Sequence, residues 1–508
     1  MPQPQITFIE GQGGLGRPLE TKDHVSGMVF YTATLPSGFS TTVREKTFYQ
    51  TLDAVNAGIK NDHSDATAAT ATYLITTLGA TGNTIELKVN DLNKATGATQ
   101  TTSLGVYTKT ALDTTIAIMG ANIAALINSG TNTHGYSATF ATATITITAP
   151  KNLGTFLNSG SPLSATIVGT IAGTITQFTS GVASKLAIYY YHISEFFRIN
   201  PKGYLHVGFY AVPTTYDFTE ITTLQNFANG EIRQVGVYKD AIYATADMTA
   251  INTVCEANKA VKKPLIALYA ANIQATTDVA TLTDISTLNA QNVTNVIGQD
   301  AGGYGNFLYK GNAKSISCLG TQLGVVSERK VSESIAWVEV GNVSNGIECE
   351  TIGFSNGQLF SAVTDATLNV INSFRHTYLR KFVGYAGSYF NDSHTATLPT
   401  SDYCQIENNR TIQKAERLLY ARYMPKLNSP IVFNQNGTLS DVTIGTFETI
   451  GNSALDEMVV AEELSARSVY INPLQNVLAT SKLIITANLV INGVARQIEI
   501  PIGFKPSI

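Results

Sequence analysis

Charge is scarce in this chain. Only 14% of its 508 residues are charged, 37 acidic against 33 basic, for a formal net charge of −4, whereas an ordinary soluble protein has roughly 25%. No run of Lys or Arg occurs, so the basic face that a nucleic-acid partner requires is missing. No stretch of about 20 residues is free of polar interruption, and Met-Pro-Gln-Pro-Gln at the start is not a basic segment leading into an apolar one. Neither a membrane span nor a signal peptide is expected. The four cysteines, Cys255, Cys318, Cys349 and Cys404, lie far apart with no CxxC pair, which argues for free thiols in a reducing compartment over a disulfide framework or thiolate metal site. The histidines show no HxxxH or HExxH spacing, and no glycine-rich loop ends in Gly-Lys-Ser/Thr. No metal and no cofactor are therefore expected.

What is present is apolar and neutral polar. Hydrophobic residues make up 44% of the chain, enough for about three cores at roughly 150 residues each. Phe48, Leu52, Val55 and Ile59 recur at helical spacing and predict an amphipathic helix over 44–59. Between 61 and 180 there is no Arg, almost a quarter of the residues are Thr, and Ala141-Thr-Ala-Thr-Ile-Thr-Ile-Thr148 alternates strictly. This predicts an inserted β-rich domain over 61–181, with one helix near 112–127. Beyond it come a helix at 185–199, strands at 204–210, 232–238, 265–269 and 293–297, and helical stretches at 219–228, 249–261 and 280–290. That alternation favours a parallel or mixed sheet with helices on its faces. The 19–60 and 182–400 segments then form one α/β domain interrupted by the insert, with an N-terminal arm over 1–18.

The segment 401–508 reads as a C-terminal α+β domain. A helix over 406–423 puts Ile412, Ala415, Leu419 and Tyr423 on one face, and a second is expected over 454–467. Asn492-Gly493 sits between two alternating runs, the strongest short-range hairpin signal. Counted outward from that turn, Ile491 pairs with Val494, Ala487 with Ile498 and Ile485 with Ile500, while Arg496 falls opposite Leu489. The fold class is thus α/β multidomain: a mixed sheet with helices on its faces, a β-rich insertion, and an α+β end closing in a hairpin.

Three motifs invite chemistry. Gly11-Gln-Gly13-Gly14-Leu-Gly16 matches a dinucleotide loop, but Arg17-Pro18 and polar residues follow where a helix should open, so a glycine-rich arm fits better. Gly353-Phe-Ser355-Asn-Gly357 matches a nucleophile elbow, with Asp365, His376, Asp392 and His394 downstream. A serine hydrolase using Ser355 is accordingly the enzymatic alternative, although the preceding segment is short and polar and no oxyanion motif appears. The acidic pairs Asp456, Glu457 and Glu462, Glu463 are expected along a solvated helix face.

Taken together, Ile188-Tyr-Tyr-Tyr-His-Ile-Ser-Glu-Phe-Phe-Arg-Ile-Asn-Pro-Lys-Gly203, Glu333-Ser-Ile-Ala-Trp-Val-Glu-Val-Gly-Asn-Val-Ser-Asn-Gly346 and Asn408-Asn-Arg-Thr-Ile-Gln-Lys-Ala-Glu-Arg417 resemble the contractile tail sheath proteins of phages and phage-derived injection systems. The resemblance spans the chain except the insert. It implies a non-enzymatic structural protomer, in a virion tail or injection particle assembled in the bacterial cytoplasm, that forms stacked hexameric rings around an inner tube. Its implied partners are copies of itself, the tube protein, and baseplate and tail terminator proteins, with no nucleic acid and no direct membrane insertion. It further implies inter-subunit strand exchange, for which Ile6, Phe8, Ile9, Leu483, Ile485, Ala487, Leu489, Ile491, Val494, Ile498 and Ile500 are candidates. A tube-facing C-terminal domain is implied too, with Asp456, Glu457, Glu462 and Glu463 as candidate contacts. The insert would face outward. A baseplate or adhesin component with the same insert is the other structural alternative.

Overall fold

The computed structural model describes residues 22–504. Its centre is a six-stranded sheet in the order Val293–Asn295, Ile266–Asn272, Gln234–Ile242, Val25–Tyr31, Tyr204–Tyr210, Glu45–Phe48. All neighbours are parallel except the last pair. Parallel strands are covered on both faces and so read as continuous apolar runs. Val25, Val29 and Tyr31 pack with Met248, Ile251 and Leu224 from the helices Thr245–Ala260 and Glu220–Phe227. Met28 and Phe30, which alternate with them, pack with Ile193, Phe196, Leu319 and Leu323 from the helices Leu186–Ile199 and Leu319–Glu328. Those two helices approach so closely that a Cβ on Gly320 would lie 2.1 Å from the His192 carbonyl oxygen. Only glycine fits there.

Several sequence expectations change. The predicted helix over 44–59 is the edge strand Glu45–Phe48 followed by the short helix Thr51–Asn56. Strand pairing with Tyr204–Tyr210 overrides the helical spacing of its apolar residues. The stretch 280–290 forms two single 3₁₀ turns, Val279–Thr281 and Ser286–Leu288, separated by a loop. In contrast, the helices Leu186–Ile199 and Ile406–Tyr423 and the strand Tyr204–Tyr210 lie where the pattern puts them.

Between the strands Glu45–Phe48 and Tyr204–Tyr210 of that sheet the chain builds two antiparallel sheets of its own. One has the order Ser137–Ala141, Thr144–Thr148, Thr70–Thr77, Ala172–Thr179; the other is Thr99–Thr108, Thr84–Leu92, Leu163–Val168. The helix Ile116–Ser129 packs on them through Met119, Ile123 and Ile127. Both sheets pair only among residues 70–179. Thr67 and Val182 exchange two backbone hydrogen bonds of 3.0 Å, so the segment leaves and re-enters side by side. Its apolar core runs into the main one around Leu153, Leu157, Phe307 and Leu308.

The C-terminal region packs the helices Ile406–Tyr423 and Asp441–Val460 against a two-stranded antiparallel sheet, Leu464–Tyr470 with Thr486–Ile491. Its core is Ala415, Leu418, Ala454, Leu455, Met458, Leu464 and Val469. The helix expected over 454–467 is therefore the end of one helix and the start of a strand. The hairpin about Asn492-Gly493 is not formed. Thr486–Ile491 takes Leu464–Tyr470 as its partner, which buries Ala487 and Leu489 in part against the helices, and residues 494–504 form neither helix nor strand.

Candidate functional site

The C-terminal region holds the largest departure from a self-satisfied fold. From Val494 to Phe504 the chain makes no backbone hydrogen bond to another segment among the described residues. Its alternate side chains are nonetheless apolar and exposed: Ile498 is 79% exposed, Ile500 76% and Ile502 95%. In an extended chain these residues share one face. The strand just before them belongs to a sheet of only two strands: Leu464–Tyr470 has its outer edge capped by the helix Asp441–Val460, Asn452 Oδ1 accepting the Val469 N–H at 3.2 Å, while among the described residues the outer edge of Thr486–Ile491 takes no further strand. Unpaired edge groups are a template for a further strand, and isolated two-stranded sheets are marginal in water.

One side chain ties this segment to the body. Arg496 donates through Nε to Asp392 Oδ1 at 2.9 Å, and through Nη2 to Ser393 Oγ at 3.2 Å and to Glu407. Both carboxylates are held in the body, since Glu407 is buried in the helix Ile406–Tyr423 and the Asp392 side chain is largely covered. Burial works against the Arg496 charge, but the two carboxylates outweigh it and its pKa is raised. Burial raises Glu407, opposed by Arg496. His394, 3.8 Å from Asp392, is pushed down to about 3 by burial and is neutral near pH 7.

The helix itself is polar where it is buried. Glu407, Arg410, Lys414 and Arg417 follow at helical spacing. Lys414 Nζ lies 2.7 Å from both Asp23 and Glu463, and Arg417 Nη2 lies 2.7 Å from Asp23. Arg410 donates to the carbonyls of Arg329, Lys330 and Asp23, and burial lowers its pKa to about 10. Gln413 reaches Asn292 at the sheet edge. The helix thus joins the main sheet, the chain just before its first strand, the C-terminal sheet and the C-terminal segment. Sequence reasoning missed this set by following Ile412, Ala415, Leu419 and Tyr423, of which only Ala415 is fully buried. The charged residues at three- and four-residue spacing were the available signal.

The structure sorts the other candidates. Ile6, Phe8 and Ile9, with the glycine-rich motif, lie outside the described residues. Leu483, Ile485, Ala487 and Leu489 are half-buried, whereas Ile491, Val494, Ile498 and Ile500 are exposed. Asp456 pairs with Arg467 at 2.6 Å and Glu457 with Arg422. Glu462 is the exposed acid of the group, its side chain 85% open. Glu463 is a correction: it is 4% exposed and belongs to the Lys414 cluster, not to a solvated face.

The elbow at Ser355 fails on geometry. Ser355 is fully buried, its Oγ has no hydrogen-bond partner, and the strand Ile352–Phe354 runs into a turn and not a helix. His376 is occupied by Asn295 and the Thr283 carbonyl, and His394 by Asn372. Neither is available to activate it. All four cysteines are free, and burial raises the thiols of Cys255, Cys318 and Cys349. Among the described residues no group of three or more His, Cys, Asp or Glu is placed to hold a metal, and no helix is long and apolar enough to cross a membrane.

Family models of the DUF2586 N-terminal domain and C-terminal domain match residues 3–394 and 402–507. The chain belongs to the DUF2586 family. No curated protein matches it as a relative. Among solved structures, this DUF2586 chain is similar to the helical sheath of the anti-feeding prophage in its contracted state, at 16% identity and a TM-score of 0.43, over 65% of this chain and 84% of that one. It is also similar to the sheath complex of an extracellular contractile injection system, at 14% identity and 0.40, over 63% and 80%. A sheath tail protein of Desulfitobacterium hafniense follows at 9% identity and 0.37, over 96% and 100%. Likenesses this distant decide nothing about function, so the chain's own residues must carry it.

Proposed function

We propose that the chain is the protomer of a contractile tail sheath. Copies would stack as six-membered rings around an inner tube and relax from an extended lattice to a shorter, wider one that drives the tube through a target envelope. The observation that supports this most is the exposed alternation of Ile498, Ile500 and Ile502 on a segment without backbone partners among the described residues, following the strand Thr486–Ile491, whose outer edge takes no further strand among those residues. Strand addition between copies would give those backbone groups their hydrogen bonds and use the alternating side chains for register. A contact between two different surfaces of identical subunits does not close on itself and generates a helical tube. The arm over 1–18 would act as the second linking strand, the segment 61–181 would face outward, and Glu462 is the acid best placed to meet complementary charge on the tube protein. Such exposed pairs are individually weak and can be released in sequence.

Negative-stain microscopy of the purified chain at moderate salt tests this. Long hollow cylinders with helical striations are expected, lost when the chain is ended after Gly493. Trimers or isolated rings at every concentration would instead indicate a baseplate or adhesin component.

A further inference from the structure

The exposed C-terminal segment needs more than apolar side chains to join another subunit usefully: it must leave its own subunit at a fixed point and in a fixed direction. We propose that Arg496 is the residue that sets this exit, by plugging into a socket of the body formed by Asp392, Ser393 and Glu407, so that residues 498–504 are presented in one register to a second copy of this chain. This rests on the strand-addition reading above.

Three observations carry it. First, among the described residues Arg496 is the only cation in ion-pair contact with Glu407 and, apart from the neutral His394, with Asp392. The neighbouring Arg375 spends its guanidinium on the carbonyls of Thr395 and Cys404. A socket with two largely buried carboxylates, and with Arg375 as the nearby body cation whose hydrogen bonds go to carbonyls, favours an incoming charge that can bond the carboxylates directly, because an unpaired buried carboxylate is costly. Second, the planar fork contacts three acceptors at once, which fixes orientation as well as position, as a lysine could not. Third, Arg496 has the same parity as Ile498, Ile500 and Ile502. Pinning it therefore decides which way the apolar face turns, and a slip of one residue would reverse that face. At ~3.3 Å per residue the extended segment reaches up to roughly 26 Å from Arg496 to Phe504, well clear of the socket. Pro501 has no N–H to give, which suits a strand joining at an edge.

The test uses the full chain and two readouts. Trypsin cleaves after Arg496 only when its side chain is free, so the monomer reports directly on the socket. The Asp392→Asn, Glu407→Gln double variant keeps Arg496 but uncharges its acceptors, and cleavage at 496, followed by mass spectrometry, is expected to be at least tenfold faster. The Arg496→Gln, Asp392→Asn, Glu407→Gln variant removes the plug and both counter-charges together, so that neither socket acid is left unpaired. It is expected to melt as a folded monomer and to need at least tenfold higher concentration to form cylinders. Unchanged cleavage in the first variant, or cylinders at the original concentration in the second while the chain ended after Gly493 forms none, would overturn the anchor and leave strand addition standing. Cylinders from the shortened chain would overturn both.

Discussion

Lys414 puts one positive charge between Asp23 and Glu463, with the ammonium largely withdrawn from water. Replacing it by Met keeps the volume and leaves two acids facing each other. The expected loss is about 3–5 kcal/mol, read as a lower urea midpoint with an unchanged slope. A second buried acid pair gives a pH signature. Glu348 is pushed up to about 8, by burial and then by its hydrogen-bonded neighbour Asp300, from an ordinary 4.5. The pair sits at the amino end of the helix Tyr304–Asn312, where Gly303 leaves room for both carboxyls. A folded-state pKa above the unfolded one contributes stability that is complete below about 4.5 and lost as pH rises through about 8. His192, His376 and His394 act in the opposite sense. Burial holds them at about 3, 4 and 3 against 6.5, so their contribution is complete above 6.5 and is lost as pH falls toward those values. Thermal midpoints measured from pH 4 to 9 are expected to fall on both sides, with Glu348→Gln flattening the alkaline arm and His192→Leu making the acid arm shallower.

Among the elements, the helix Asp441–Val460 starts at Ser440, whose hydroxyl accepts the Thr443 N–H at 3.2 Å. Ser440→Ala is expected to cost about 1 kcal/mol in a denaturant titration, with tube assembly retained. Element type was readable wherever one period dominated and one face was buried, as in Leu186–Ile199 and Tyr204–Tyr210. It was lost where tertiary pairing chose the outcome. Glu45–Phe48 carries a helical pattern but finds a free sheet edge. Asn492-Gly493 has the chemistry of a hairpin turn, yet Leu464–Tyr470 captures the strand before it. The candidate site was legible as an apolar alternating segment and illegible as an anchored one. Arg496 looked like a flaw in a hairpin face because its partners, Asp392 and Glu407, are 104 and 89 residues away. No local pattern encodes a contact of that separation.

For the whole molecule, the paired hydrogen bonds of Thr67 and Val182 put the two ends of the threonine-rich segment in register. Excising 68–181 and closing the gap with Asn-Gly is expected to leave the six-stranded sheet intact. A single cooperative unfolding transition with retained helical dichroism would bear this out, and an aggregating product would count against it. The bulk of the chain's organisation, an α/β sheet interrupted by a β-rich stretch, was visible as a change of composition and period. Which residues hold its parts together was not, since those residues are polar and buried. The helix Ile406–Tyr423 has a further consequence. Arg496 hooks the C-terminal segment to its first turn through Glu407, and Lys414 and Arg417 hook Asp23, two residues before the first strand, to its later turns. Tension applied at either end of the described chain therefore enters the same rod, and a lattice of such subunits could transmit a pull from neighbour to neighbour without loading the weak two-stranded sheet.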